Sequence, residues 1–416
     1  MLLIVLPMGG QDMAAHRHLS SVVSIVHFDM ASKPARARPP VGLILVLSTV
    51  LSSAAVRHVG AASVVLPTAF DANNLLVSTY AKTTTDNIRL DVGGVAVGAN
   101  NVGSLWTIAE HEQPGRCFGG GSAYAVLEIA QWMRVSRGRW WIGYGSGRRD
   151  AYDGNADAAQ LWIDLHSGGQ KQPFYAPWAT NARVGASWFG TGHDFPFQLG
   201  KARGTGTLSL RLIRASDYLA RSVVGQVSGD QFSGMVRITS ARTPTGTVRG
   251  SGWALDAQWV FALGRRWQAQ VTAEGLLGRM HWRGLSVRDV YVTSPGVFTD
   301  PEGFLHDFGG ISGAEWFEDL TASLDTCYRL DMIYAAHPNV LLSARRQAGT
   351  RSLLSAGLAW PQSRPWLPYF RYHPTQHRLE IGAVGTGWQL RVSGDDWLAS
   401  SPKHAEIAIS WAAVIF

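Results

Sequence analysis

The chain has 416 residues and a formal net charge of +7, from 37 Lys and Arg against 30 Asp and Glu. Its basic residues form no cluster with interleaved aromatics, which excludes nucleic acid as a partner. Cys117 and Cys327 have no metal-ligand spacing, which excludes a zinc site; they could pair in an oxidising compartment, but spacing alone does not bring them together. No cofactor-binding motif is present, so we expect no cofactor.

The first element along the chain is a candidate export signal. Basic residues from Lys33 to Arg38 precede an apolar stretch over residues 41–56, and small residues follow at Gly60–Ala62. This order is that of a secretory signal peptide, and the apolar stretch is shorter than the roughly 20 residues that span a bilayer as a helix. We therefore expect an upstream extension from start-site choice over residues 1–29, a removed signal peptide over 30–62 and a single domain over 63–416.

Acidic residues further along imitate a calcium-binding loop. Four residues have the spacing of oxygen ligands for calcium: Asp153, Asn155, Asp157 and Asp164. The glycine expected at the sixth position of such a loop is Ala158, and residues 161–165 alternate like a strand, which would draw Asp164 away. We expect a solvated turn here, with calcium as the weaker hypothesis and no other metal site.

The strongest pattern is the alternation of apolar and polar residues, which recurs along most of the chain. From Trp253 to Phe261 the odd-numbered positions are apolar, and Asp256 and Gln258 lie between them. A second run begins at Trp267, and Gly264 precedes it, so the pair predicts an antiparallel hairpin. If the apolar face meets lipid, the opposite face lines a lumen. The lumen-facing candidates are Arg211, Asp256, Glu274, Asp325, Arg329 and Arg391.

Two segments after this hairpin matter for the prediction. Residues 294–316 form a long connection that is unexpectedly apolar, as functional loops can be. Its candidates for a lid or an inward plug are Phe298, Phe304, Leu305 and Phe308. The second interpretation is a loop packed on the rim. Residues 320–332 then alternate over the length of a tilted barrel strand, with Leu320, Ala322 and Leu324 on the predicted lipid face.

Composition favours a transmembrane barrel over a soluble β-protein. The chain holds 17 Trp and 46 Gly, and such barrels place Trp at the bilayer interfaces and Gly in strands and turns. At roughly 22–29 residues for each strand with its connection, residues 63–416 predict an all-β, antiparallel barrel of about 14 strands, within a range of about 12–16. The N-terminal segment Ser63–Asn87 could plug its lumen. A soluble β-sandwich alternates too, with its apolar face turned inward.

The C-terminal segment Ala405–Phe416 resembles the terminal strand of bacterial outer-membrane β-barrel proteins, whose last residue is typically Phe. Ser410 and Glu406 share the face of Phe416 and depart from the apolar pattern expected there. The resemblance implies a barrel exported to the outer membrane of a Gram-negative bacterium. It also implies contact with outer-membrane lipid, and recognition of the last strand by the barrel-assembly machinery.

The C-terminal third also resembles, in its layout of paired strands, the FadL/PorV-like and TraF-like barrels. The runs that carry this likeness are Leu353–Trp360 and Leu379–Val392. The likeness is one of texture and carries no functional residue with it.

These features predict an outer-membrane channel or transporter for small or hydrophobic solutes. One alternative is a non-catalytic outer-membrane anchor or component of an assembly or secretion system. Another is a soluble periplasmic β-sandwich binding protein. The Ser and His residues form no recognisable catalytic arrangement, so we expect that the protein is not an enzyme.

Overall fold

A computed structural model describes fifteen stretches of the chain. They are residues 63–64, 87–100, 122–167, 174–200, 202–228, 231–264, 266–293, 297–299, 305–307, 310–336, 339–347, 353–360, 366–374, 377–395 and 404–414. The predicted signal peptide, Cys117, Phe304, Phe308 and Phe416 lie outside them, as does most of the Ser63–Asn87 segment.

The described residues are mostly β-strand. The first strands are β1 (Ser63–Val64), β2 (Ile88–Asn100), β3 (Ser122–Arg137) and β4 (Trp140–Asn155), and helix α1 (Ala156–Ser167) follows. The middle strands are β5 (Phe174–Tyr175), β6 (Trp178–Leu199), β7 (Ala202–Ser228), β8 (Gln231–Ser240), β9 (Arg242–Thr243), β10 (Gly246–Thr247), β11 (Gly250–Leu263), β12 (Trp267–Thr293), β13 (Val297–Thr299), β14 (Leu305–Asp307) and β15 (Gly310–Leu324). The last strands are β16 (Cys327–Tyr334), β17 (Asn339–Gln347), β18 (Leu353–Ala359), β19 (Trp366–His373), β20 (Arg378–Gly385), β21 (Trp388–Gly394) and β22 (His404–Val414). No helix among the described residues is long and apolar enough to cross a membrane.

The strands close into a barrel of 14 antiparallel positions. The circuit runs β2, β3, β4, β6, β7, β8 with β11, β12, β15 with β16, β17, β18, β19, β20, β21 and β22. It closes where β22 pairs with β2, from Arg89 opposite Val414 to Ala99 opposite His404. The predicted antiparallel barrel and its strand number are confirmed. The β-sandwich is wrong, because one sheet closes on itself and turns its apolar face outward.

Two positions in the circuit are each built from two consecutive strands. Residues 203–215 of β7 pair with β11, and residues 219–228 of β7 pair with β8. The small β9–β10 hairpin lies between β8 and β11 along the chain. In the same way β12 pairs with β16 and then with β15. As a result β7, β8, β12 and β15 continue as a sheet past the segments that pair β7 with β11 and β12 with β16, and β6 accompanies β7 as far as Val224. We call this sheet the extension: residues 219–228, 231–240, 285–293 and 310–318.

The two ends of the barrel differ in their connections. At the terminal end, where β2 begins and β22 ends, tight turns join β3 to β4, β6 to β7 and β11 to β12. Glycines with positive φ occupy these turns, at Gly138, Gly200 and Gly264. The opposite end, which we call the loop end, carries α1 and the β13–β14 hairpin. Short turns at one end and longer connections at the other are typical of transmembrane barrels.

The outer face of the barrel is apolar. Leu212 is 59% exposed and Ile409 60%, and both alternate with buried inward-facing neighbours. Other large apolar side chains exposed on this face are Leu127, Ile129, Met133, Ile142, Phe189, Leu208, Leu210, Leu277, Ile381, Leu390 and Ile407. Water would not favour so much exposed apolar surface around a whole barrel, whereas lipid would.

Aromatic side chains gather at the terminal end of this apolar face. Trp140 stacks on His193 with ring centroids 4.4 Å apart, and Trp267 packs on Tyr334 at 4.8 Å. Trp360 contacts Phe370, Phe197 contacts Phe261, and Trp388 lies opposite Trp411 in the β21–β22 ladder. A girdle of this kind is typical of the membrane interface.

The structure corrects the strand predicted over residues 161–165, which belong to helix α1. Asn155 caps the helix, because its Oδ1 accepts hydrogen bonds from the backbone N–H of Ala158 at 3.0 Å and of Trp178 at 3.0 Å. Asp157 lies in the first turn, where a negative charge favours the helix dipole. The alternating pattern covers only five residues. The Asn155 cap and the alanines at the start of the segment favour a helix more strongly than this pattern favours a strand.

The strand predicted over residues 320–332 is broken at Asp325 and Thr326, and its two halves present opposite faces. Leu320, Ala322 and Leu324 therefore turn inward and pack in an apolar cluster, while Arg329 and Asp331 also face inward. A bulge explains the shift, since Glu274 pairs with Cys327 but Arg279 pairs with Ser323. The predicted lipid face of residues 320–324 is wrong for this reason.

The faces of β22 are also clear. Ile407, Ile409 and Trp411 are exposed on the outer face, whereas Glu406 and Ala408 are buried on the inner one. This arrangement matches the departure of Glu406 and Ser410 from the terminal-strand pattern. The terminal-strand pattern expects apolar residues at even-numbered positions such as 416. In β22 the exposed apolar residues are instead at odd-numbered positions, so the opposite face is the outer one.

Candidate lumen lining

The inner face of the barrel carries buried charged side chains. The central pair is Arg211 on β7 and Asp256 on β11, whose side chains are 4% and 9% exposed. The Arg211 guanidinium donates two hydrogen bonds to the Asp256 carboxylate, both at 2.6 Å. Two-point contact between a planar guanidinium and a carboxylate is the strong form of ion pair.

Asp256 also fixes the bulge that breaks the wall. Its Oδ1 accepts a hydrogen bond at 2.7 Å from the backbone N–H of Gly275, whose φ of +63° is in the left-handed region. The hydroxyl of Thr326 donates to the carbonyl oxygen of Gly275 at 2.9 Å. One carboxylate on β11 thus holds Arg211 on β7 and the irregular backbone of β12, so three neighbouring strands depend on it.

A small chamber, lined mainly by polar residues, opens on the terminal side of this pair. It is lined by Arg134, Trp141, Thr207, Ser209, Asp256, Ala257, Gln258, Gln270, Thr272, Glu274 and Arg329. Asp256, Glu274 and Arg329 were expected on this face from alternation, and the fold brings them to one chamber from β11, β12 and β16. Arg329 also pairs with Asp331, at 2.7 Å.

A second charged network lies across β19 to β22. Glu406 accepts hydrogen bonds from Arg391 and, at 2.8 Å, from Arg378. Arg378 also contacts Nε2 of His404. Further members are His373, Glu380 and Arg371, with His373 bonded to Glu380 at 3.3 Å.

Of the six lumen candidates, Arg391 joins this second network. Asp325 lies in the break between β15 and β16 and is half-buried. Its position follows from the bulge, which removes residue 325 from the regular alternation used to select it.

Sequence reasoning missed the partners of these residues. Glu128 binds Arg149 at 2.6 Å, a pairing that cannot be found when each strand is considered separately. Trp141 is buried on the inner face, whereas its neighbour Trp140 is exposed on the outer face. Alternation within β4 could have separated them, since neighbours on a strand face opposite sides.

Aromatic rings lie flat on the inner wall over glycines of the adjacent strand. Trp188 on β6 covers Gly145 on β4, where a Cβ would lie 2.5 Å from the ring. The other pairs are Trp132 on Gly93, Trp141 on Gly192, Trp282 on Gly250 and Tyr369 on Gly382. This pairing accounts for part of the high Gly and Trp content, because only glycine leaves the wall open to the ring.

Arginines stack on three of these rings. The guanidinium carbon of Arg211 lies 6.0 Å from the Trp188 ring centroid, that of Arg134 lies 5.7 Å from Trp141, and that of Arg371 lies 5.6 Å from Tyr369. The resulting layers of glycine, aromatic ring and guanidinium place charge towards the lumen while the apolar ring covers the backbone.

The lid and calcium candidates have different outcomes. Phe298 and Leu305 fall in the short paired strands β13 and β14, whose side chains the structure does not describe.

The oxygens of Asn155 and Asp157 accept backbone hydrogen bonds, including one from Ala176 to Asp157 at 2.8 Å. Among the described residues, no group of His, Cys, Asp or Glu is arranged to hold a metal ion.

A matching ion pair lies in the extension, beyond the apolar band. The Arg237 guanidinium donates two hydrogen bonds to Asp289, each at 2.7 Å, and these hydrogen bonds lower the pKa of Asp289 below its ordinary value. Stability from such a group is present above the unfolded pKa and is lost as the pH falls through the folded pKa. We expect NMR titration of Asp289 to give a midpoint below that of Asp in the Arg237→Gln variant; equal midpoints would contradict the pairing.

Comparison with known proteins assigns no family to this chain. No family model matches, and no curated protein matches. Among solved structures, the chain is similar to the TodX deltaS2S3 mutant monoaromatic hydrocarbon channel at 10% identity and a TM-score of 0.42, covering 82% of this chain and 95% of that one.

Two further solved structures give similar values. The P. putida toluene transporter TodX has 10% identity and a TM-score of 0.40, over 80% of this chain and 91% of that one. The translocator domain of the autotransporter NalP from Neisseria meningitidis has 10% identity and a TM-score of 0.31, over 81% and 92%. At such values the function of this chain has to be argued from its own residues.

Proposed function

We propose that this protein is an outer-membrane channel or transporter for small or hydrophobic solutes. The observation that supports this most is the closed barrel, whose outer face is apolar and whose inner face carries charged side chains around a small chamber. Charged and polar residues that point inward suit a lumen that water or a solute enters.

The height of the apolar band supports a membrane location. On β12 the band runs from Trp267 in the girdle to Leu277, and Arg279 ends it. At about 2.5 Å of height per tilted residue, this is roughly 25–30 Å, close to the roughly 25 Å apolar band of outer-membrane barrels.

The lumen lining favours solutes of mixed character. Around the chamber, Arg134 and Arg329 face Asp256 and Glu274, so the charges nearly balance. An apolar cluster lines the inner wall closer to the loop end, with Trp132, Trp188, Ile213, Met280 and Trp282 among its members. Balanced charge gives weak ion selectivity, and the apolar cluster offers a surface for a hydrophobic solute.

Conductance tests the channel. Protein purified in detergent and shown to be folded by heat-dependent mobility on an unboiled gel is reconstituted into planar bilayers and into liposomes. We expect stepwise conductance and uptake of a small solute such as a labelled aromatic hydrocarbon. Folded protein that gives neither conductance nor uptake would remove the proposal.

Charge substitution in the chamber tests the route. Replacing Glu274 by Gln removes one of the carboxylates that line the chamber, so we expect the reversal potential in a salt gradient to shift towards anion selectivity. Glu315→Gln is the control, because Glu315 lies in the extension and binds Ser286 at 2.8 Å. An equal shift in both variants would place the ion path elsewhere.

The sites predicted from the sequence enter this proposal with different roles. Arg211, Asp325 and Arg391 are proposed to shape the lumen rather than to bind solute directly. Phe298, Phe304, Leu305 and Phe308 are proposed to form a lid at the loop end. Removal of residues 30–62 and recognition of β22 by the assembly machinery are proposed too; N-terminal sequencing of membrane-extracted protein tests the cleavage.

A second candidate function is that of an anchor for a partner protein. The extension supports it, because β15 offers its outer side, with Ile311 79% and Phe317 58% exposed. An extended apolar strand edge is suited to pairing with another chain. A stoichiometric partner that is captured by the wild type and lost in Ile311→Asp, together with absent conductance, would favour this function over the channel.

A further inference from the structure

On the outer wall at the loop end, basic side chains from two strands meet. Arg214 on β7 and Arg279 and Arg283 on β12 are all exposed on the face that carries the apolar band. Cross-strand pairing aligns Arg214 with Ser251, and Ser251 with His281. Arg279 lies two residues below His281 on the same face, so these side chains form one patch over three neighbouring strands.

The patch also offers neutral hydrogen-bonding groups. His281 Nδ1 lies 3.0 Å from the hydroxyl of Thr321, and Arg283 Nε donates to His281 Nε2 at 3.2 Å. Arg214 and Arg279 form no ion pair with any residue that the structure describes. Asp319 is the acidic residue beside the patch, and its Oδ1 accepts a hydrogen bond at 2.8 Å from the N–H of Gly284.

Directly below the patch the same strands become apolar. Leu212 lies opposite Trp253, which lies opposite Arg279, and the next row holds Leu255 opposite Leu277. Leu212 and Leu277 are among the most exposed apolar residues of the described chain, at 59% and 58%. β12 changes from apolar to polar one row before β7 and β11 do, so the change on all three strands falls within two neighbouring rows.

Two bulges of the wall lie just above these rows. The β6–β7 register shifts beside Gly185, and the β12–β15 register shifts between Trp282 and Leu285. Regular barrel wall thus ends where the basic residues begin. This coincidence places the patch at the level of lipid headgroups if the apolar band lies in the bilayer.

We propose that Arg214, Arg279 and Arg283, with Ser251 and His281, bind the phosphate of a membrane lipid whose acyl chains lie on Leu212, Trp253 and Leu277. Arginine donors suit the oxygens of a phosphate, and the apolar row below suits a hydrocarbon chain. The proposal goes beyond solute passage and rests only on the membrane location in the proposed function.

Lipid retention by purified protein tests it. The protein is exchanged into nanodiscs of phosphatidylcholine containing diphosphoryl lipid A, and bound lipid is measured by native mass spectrometry. We expect lipid A to be enriched on the wild type, and Arg214→Gln with Arg279→Gln to lower its affinity about 25-fold, from about fivefold for each arginine. Arg137→Gln is the matched control, as an exposed arginine at the terminal end.

The outcomes separate the hypotheses. Equal retention by the double variant and the wild type, or the same loss in Arg137→Gln, would overturn the lipid site. Competition by inorganic phosphate alone at the same concentration would also overturn it, because the acyl chains would then contribute nothing. Each variant is first shown to be folded by heat-dependent mobility. Conductance is recorded on the same samples, so failure of the channel is seen independently of lipid binding.

Discussion

Replacing Asp256 by Ala is expected to destabilise the barrel by about 3–5 kcal/mol, the cost of leaving one partner of a buried ion pair uncompensated. Arg211 would keep its charge with both of its 2.6 Å hydrogen bonds lost. The N–H of Gly275 would lose its acceptor at the bulge as well. The free energy of unfolding, measured by urea titration in lipid vesicles, gives the result.

The extension supplies the control for this experiment. Arg237 and Asp289 have the same two-point geometry as Arg211 and Asp256, but Arg237 is 50% exposed. Since exposed ion pairs contribute about 0–1 kcal/mol, Asp289→Ala is expected to change stability by no more than about that amount. Equal effects of the two substitutions would show that the lumen around Asp256 is as well hydrated as the surface.

Replacing Gly145 by Val is expected to displace the Trp188 ring into the lumen. The ring lies against Gly145, and a Cβ there would lie 2.5 Å from it. Overpacking of this kind costs about 1–3 kcal/mol. Because Arg211 stacks on the ring, the displaced group would also carry charge into the pore, so we expect lower single-channel conductance along with lower stability.

Two further variants identify the cause. Gly310→Val is the control, because a Cβ at Gly310 meets nothing within 4 Å and the residue has no positive φ. Trp188→Ala combined with Gly145→Val should restore space, so the damage of the pair should be less than the sum of the single changes. Additive losses would mean that the ring and the glycine do not interact.

The barrel fold could be predicted from the sequence. Alternation over residues 253–261 and 267–274 survives in β11 and β12, with Gly264 at the turn between them. The strand number followed from chain length, since each crossing strand and its connection have a limited size. Local patterns of period two carry this information without any knowledge of the neighbouring strands.

For some strands the sequence could not predict which face turns inward, because this depends on contacts with neighbouring strands. Leu320 to Leu324 turned inward because of a bulge that is held by Asp256, a residue more than sixty positions earlier. The helix at residues 156–167 depends on the Asn155 cap, which is completed by the backbone of Trp178. Phase along a strand can be read locally, but a shift of phase is fixed by contacts across the sheet.

The ionic partners were hidden for a similar reason. Arg391 could be placed on the inner face from alternation, whereas its binding to Glu406 and the link from Glu406 to Arg378 join three strands. The calcium hypothesis rested on residues that are close together along the chain. In the structure the oxygens of Asn155 and Asp157 accept hydrogen bonds from backbone N–H groups of a helix and a loop.

The seam between β2 and β22 has a consequence for biosynthesis. β2 emerges early from the ribosome, but the edge that faces Val414 waits for nearly the whole chain before it meets its partner. A nascent barrel therefore has two unpaired strand edges for as long as translation continues, and such edges pair readily with other chains. Survival of the newly made protein depends on keeping those edges apart until the ring can close in the membrane.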